Sequence, residues 1–177
     1  MLKKLTLTLL TVISAFGVIS GELSPDKGGI WKDSEGNHIN CHGGGIIKAR
    51  DGVYYWYGEN RMFKAPQEGV ACYSSSDLKN WENRGIVMAV SDEEGAIVER
   101  GSTIERPKVI YNPHTKKYVM WFHHELKGKG YAAAQAAVAV ADNPLGPFKP
   151  LGSARVNPGK MPKTLKKSQK PDDSRLE

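Results

Sequence analysis

Two carboxylates stand out in this sequence by their settings. Glu59 follows Tyr54-Tyr-Trp-Tyr-Gly58, an aromatic run that reads as a strand whose end meets a cleft. Glu105 sits between Ile104 and Arg106-Pro107, just before a second apolar run. A guanidinium beside a carboxylate favours the charged form. Carboxylates so placed accept hydroxyl hydrogen bonds or take part in proton transfer. Each also has a plainer reading, a solvated acid at a strand end. Upstream, His42-Gly-Gly-Gly-Ile46 sets an imidazole beside three residues without side chains. Such glycines serve either a ligand or only a close backbone approach. No zinc site or other cofactor is expected: there is no CxxC, and His38, His42, His114, His123 and His124 lack a repeated ligand spacing.

The elements that must position these groups are strands. Gly45 to Lys48 and Val53 to Gly58 flank Asp51-Gly52, a pair that tolerates the positive φ angles of a two-residue hairpin turn. Val70 to Ser74 is a third strand, and Arg84 to Val90 a fourth after the turn at Trp81. The pattern then returns. Pro107 to Tyr111 is a strand, Asn112 to Lys117 a turn, and Tyr118 to His123 its partner. Ala136 to Ala141 is another, closed by Asp142 to Phe148; by propensity alone its Ala run could be helical. Tyr54 aligns with Tyr118 at an offset of 64 residues, and Trp81 with Phe148 at 67. A four-strand unit recurring at that spacing predicts propeller blades.

Composition restricts the function classes. The 177 residues are 40% hydrophobic and 25% charged, ordinary for a globular chain. The net charge of +6 lies at the ends: residues 1–21 hold Lys3 and Lys4 without an acid, and residues 151–177 hold seven bases against three acids. The stretch between is neutral, so it lacks the basic face that nucleic acid requires. Residues 1–21 read as a secretory signal: a lysine pair, an apolar run from Leu5 to Ile19 too short to span a membrane comfortably, then Ser20-Gly21. The expected location is secreted or periplasmic, with no membrane attachment after cleavage. Cys41 and Cys72 read as two buried thiols, with a disulfide as the alternative that export permits.

His42-Gly-Gly-Gly-Ile46, Tyr54-Tyr-Trp-Tyr-Gly-Glu-Asn60, Tyr73-Ser-Ser-Ser-Asp-Leu-Lys-Asn-Trp81 and Ile104-Glu-Arg-Pro-Lys-Val-Ile-Tyr-Asn112 occur in this order. Together they resemble glycoside hydrolase family 43, five-bladed β-propellers, and within it the exo-β-1,3-galactanase branch. Tyr118 to His123 and Val138 to Phe148 continue the likeness. The resemblance implies an all-β chain of five-bladed propeller type, cut to about two four-stranded blades over residues 22–157. A polar basic tail follows at 158–177, in which Pro171-Asp-Asp-Ser-Arg175 is similar to the lead into a third blade. The implied activity is hydrolysis of O-glycosidic bonds in a plant or algal galactan-like polysaccharide, with inversion. That chemistry needs an acid on the leaving oxygen and a base on water.

Residue by residue, the resemblance makes Glu105 the catalytic-site carboxylate that orients the sugar and tunes the acid. Glu59 becomes a hydroxyl-binding carboxylate, with Arg106 and Tyr131 also on the substrate. His42 occupies the blade-one position where many members carry an Asp base, a departure shared with the galactanase branch, which implies that His42 contacts the sugar or supports the three glycines. Trp56, Trp81 and Trp121 read as blade core, and one ring of His123-His124 could reach the cleft. Five such blades need about 300 residues, so the blade with the general acid is expected to be missing. The alternative function is a non-catalytic sugar-binding or vestigial propeller piece.

Overall fold

The computed structural model describes residues 29–61, 67–156 and 158. The predicted signal segment and all but one residue of the basic tail lie outside these. The chain forms two four-stranded antiparallel sheets in which consecutive strands are neighbours. The first holds β1 (His42–Lys48), β2 (Tyr54–Glu59), β3 (Gly69–Ser75) and β4 (Glu82–Ala89). The second holds β5 (Thr103–Asn112), β6 (Lys117–Glu125), β7 (Ala134–Ala141) and β8 (Lys149–Ala154). The 64-residue offset links β2 to β6, and the 67-residue offset sets Trp81 and Phe148 at the entrances to β4 and β8.

Local chemistry explains the turns, with one correction. Ala49 N–H bonds Val53 C=O at 2.9 Å and Gly52 N–H bonds Ala49 C=O at 3.0 Å. The loop is therefore three residues, Arg50 to Gly52, rather than the expected two. Gly52 takes the left-handed position at φ 84° that a three-residue hairpin requires. In the second sheet the Asn112 side-chain oxygen accepts from the backbone of His114 and Thr115, an Asx turn. Asp77 organises the β3–β4 turn. Its carboxylate accepts from the Asn80 and Lys79 backbone N–H groups and from the Asn80 side chain, which holds its pKa well below the usual carboxylate range.

The main core lies between the sheets. Tyr55, Tyr57, Val70, Cys72, Val87 and Met88 meet Ile104, Val109, Tyr118, Met120, Phe122 and Phe148. Alternation decides which side chains enter it: along β6, residues 118, 120, 122 and 124 are buried while the intervening ones are not. On β7 the inward residues are Ala137, Ala139 and Ala141, which belong to the same core. The Ala run is thus a strand after a single 3₁₀ turn at Tyr131–Ala133. A second cluster covers the other face of the first sheet, where Ile39 and Cys41 pack on Ala71, Tyr73 and Trp81. Cys41 and Cys72 belong to different clusters on opposite faces, and both are free thiols.

Two further expectations change. Trp121 is 50% exposed, because it lies on the outward face of β6. Only Trp81 is fully buried among the three, with Trp56 half-buried. Strand β8 carried no sequence expectation, since Pro150 and Gly152 mask its strand character.

Candidate functional site

The first strands of the two sheets lie against one another, and β2 also meets β5. Both first strands are irregular in the same way. Between His42 and Gly45, β1 advances three residues while β2 advances two. Between Glu105 and Lys108, β5 does the same against β6. Each is a bulge with one extra residue, and each takes up a left-handed conformation: Gly43 at φ 60° and Arg106 at φ 51°. Positive φ suits glycine and strains arginine, a backbone feature that concentrates at functional sites. Glu105, expected just before its strand, therefore sits inside β5 at the bulge.

The bulges build a charged cluster. Glu59, paired in register with His42, is 1% exposed, so it is neither a solvated strand-end acid nor an open one. Its Oε1 accepts from the backbone N–H of Arg106 at 2.8 Å. Its Oε2 accepts from Arg61 Nε and lies 3.2 Å from His42 Nδ1. The same Arg61 guanidinium donates through Nη2 to Glu105 Oε1. Arg106 Nη2 stands 3.6 Å from the other Glu105 oxygen. Burial disfavours the Arg61 cation, but the attraction of Glu59 and its hydrogen bonds to both carboxylates outweigh it and raise its pKa. Lys108 crosses between sheets to donate to Gly43 C=O at 2.9 Å and Gly44 C=O at 2.8 Å.

The glycines are explained by this packing without a ligand. A Cβ on Gly43 would lie 2.6 Å from Glu59 Oε1, and one on Gly44 would lie 1.7 Å from the Tyr57 carbonyl oxygen. His42 itself is largely exposed on the rim, with a side-chain exposure of 69%.

Beside the cluster is an open hollow of about 320 Å³ lined by Arg106, Lys108, Trp121, His123 and Gln135 among others. His123 pairs in register with Glu105. Tyr131, exposed on the 3₁₀ turn, stacks on the His123 ring at 5.5 Å and 29°. All five sequence-derived residues, His42, Glu59, Glu105, Arg106 and Tyr131, thus fall in one region, with Tyr131 joined through His123 rather than touching the acids. The sequence reading missed Arg61, Lys108 and Gln135. Arg61 was detectable in principle, two residues after Glu59 and hence on its side of the chain. His124 turns the other way. It is fully buried, its Nδ1 lies 2.8 Å from Ser153 Oγ, and its Nε2 has no partner among the described residues. Desolvation, and then the neighbouring His123, lower its pKa. No group of three or more His, Cys, Asp or Glu placed to hold a metal occurs among the described residues.

Successive four-stranded meanders, packed face to face with their first strands together, define blades of a β-propeller. No family model matches the chain, and no curated protein does. Solved structures do. A family-43 β-1,3-galactosidase solved with galactodeoxynojirimycin is 53% identical, with a TM-score of 0.72 over 80% of this chain and 41% of that one. An exo-β-1,3-galactanase from Clostridium thermocellum is 45% identical, TM-score 0.63, covering 71% of this chain and 26% of that one. Another from Phanerochaete chrysosporium, solved with β-1,3-galactotriose, is 38% identical, TM-score 0.64, covering 72% and 29%. The chain belongs to glycoside hydrolase family 43. It spans between 26% and 41% of the length of these three proteins.

Proposed function

We propose that this chain forms part of the sugar-binding cleft of an exported glycoside hydrolase that cleaves β-1,3-linked galactan with inversion. The observation that carries this reading is the setting of Glu105. It is held between Arg61 and Arg106, and Arg106 also lines the adjoining hollow, where Trp121 is exposed and Tyr131 stacks on His123. A carboxylate hydrogen-bonded to one guanidinium, with a second 3.6 Å away, is preorganised to accept a sugar hydroxyl hydrogen bond that strengthens in an oxocarbenium-like transition state. Arg106 donates from the same place. The exposed aromatic faces of Tyr131 and Trp121 suit the apolar face of a sugar ring. His42 contributes a polar rim above the glycines. The proton donor on the leaving oxygen comes from outside this cluster, whose two carboxylates are both engaged by guanidinium groups.

The test is calorimetric titration of the chain with β-1,3-galactobiose, with cellobiose as control. Binding of the galactobiose alone is expected, weakened about tenfold by Glu105→Gln, as for loss of one charged hydrogen bond. Equal affinity for both sugars, or none for either, would overturn the reading. A non-catalytic sugar-binding propeller gives the same titration; it is separated by galactan turnover in a longer family protein bearing these residues.

A further inference from the structure

We propose that Glu59 is a positioning residue that never touches the sugar and acts on Glu105 through Arg61 and the Arg106 backbone. The proposal rests on the cleft reading above, since it concerns how Glu105 is held there. Glu59 is closed to a ligand by burial, with 1% of it exposed. One oxygen accepts from the Arg106 amide, and the other faces Arg61 Nε and the His42 ring. Two of these three groups, the Arg106 amide and Arg61, lead to Glu105. The Arg61 fork spans the two acids, with Nε on Glu59 and Nη2 on Glu105. The Arg106 amide fixes the left-handed residue directly after Glu105, and so the direction in which Glu105 leaves the strand.

A single guanidinium plane bonded at two edges leaves little rotation to either partner. Arg61 itself is part-exposed, with a side-chain exposure of 45%, and its guanidinium is held by the two carboxylates. Glu59 thus anchors one end of a rigid bridge whose other end is the sugar-facing carboxylate. Gly43 belongs to the same device, since a Cβ there would stand 2.6 Å from Glu59 Oε1 and force it to shift.

Two measurements on the chain test this. The first follows the Arg61 Nε–H resonance by ¹H–¹⁵N NMR. A slowly exchanging signal is expected in the wild type, retained in Glu105→Gln and lost in Glu59→Gln. The second is a double-mutant cycle on β-1,3-galactobiose affinity. Glu59→Gln is expected to weaken binding about as much as Glu105→Gln, and the double variant no further, because one acts through the other. Where Glu59→Gln does not fold, Arg61→Lys replaces it. The change is on an exposed side chain and keeps the charge, but an ammonium cannot bridge both carboxylates in plane. It too is expected to weaken binding about tenfold and non-additively with Glu105→Gln. Fully additive losses, wild-type affinity in Arg61→Lys, or an unmoved Nε–H signal in Glu59→Gln would each overturn the proposal. A wild-type chain that binds no galactobiose refutes the cleft reading instead, and the Nε–H signal then decides the positioning role alone.

Discussion

The packing of Gly43 against Glu59 gives a stability prediction with a worked size. Gly43→Ala adds one methyl group at φ 60°, 2.6 Å from Glu59 Oε1 and 3.5 Å from Arg106 Cγ. The left-handed conformation alone costs an L-residue about 1–2 kcal/mol. Glu59 must also withdraw by several tenths of an ångström, which disturbs the charge-assisted bonds from the Arg106 amide and Arg61. Loss of one such bond is worth about 1.5–3 kcal/mol. The expected destabilisation is therefore about 2.5–5 kcal/mol. Gly52→Ala is the internal control, since φ is 84° but no atom lies within 4 Å of the added carbon. It should show the backbone cost of about 1–2 kcal/mol by itself. Urea unfolding of both variants, followed by tryptophan fluorescence, measures the difference between them. If Gly43→Ala costs no more than Gly52→Ala, Glu59 is not held where the structure places it, and the account of the glycines is wrong.

The chain is expected to be silent on aryl galactosides and galactan, slower than intact family-43 enzymes by at least the about 10²–10⁴-fold that one acid/base group supplies; turnover abolished by Glu105→Gln would refute this. Its second sheet presents Ile110 and Trp121 to solvent, so it should associate as concentration rises. Trp121→Lys should shift sedimentation toward the monomer, and an unchanged profile would count against that face. His124 is buried with a lowered pKa, so below the ordinary histidine range the unfolded chain takes up the proton first. Stability should then fall as pH drops from about 6.5, and His124→Phe should flatten that slope in urea titrations across pH 5–8. Burial pushes the Cys72 thiol up to about 12, and Cys41 is raised as well. Neither should react with a disulfide reagent at pH 8 before unfolding.

The strands were legible because their signals are local. Alternation, Asp51-Gly52, and Asn112 before a turn act within a few residues, and the repeat then joined the two sheets. Burial of the tryptophans was less legible, because Trp121 has the same strand context as Trp56. Which face meets a neighbour depends on the other sheet and not on residue type. The setting of Glu59 could not be read either. The Arg106 amide that satisfies it lies 47 residues further along the chain. A glutamate after a strand looks the same whether or not such a partner arrives. Arg106 was noticed for its charge and missed for its backbone, since left-handed positions are usually inferred from glycine or asparagine.

The repeated bulge accounts for how one backbone irregularity yields different chemistry in two blades. His42 and Glu105 occupy equivalent places, as do Gly43 and Arg106, and Glu59 and His123, at offsets of 63 or 64. In each sheet the extra residue drops out of the ladder, and its amide needs another acceptor. In the second blade that amide belongs to Arg106, and the acceptor is Glu59 from the first. Glu59 must therefore be buried between sheets, and the space it fills denies a side chain to Gly43. The left-handed position is thereby taken by glycine in one blade, where an acid crowds it. In the other blade an arginine takes it, its amide tied to that acid and its guanidinium beside Glu105. The charged cluster is thus a product of the blade-to-blade contact, and either sheet by itself would lack it.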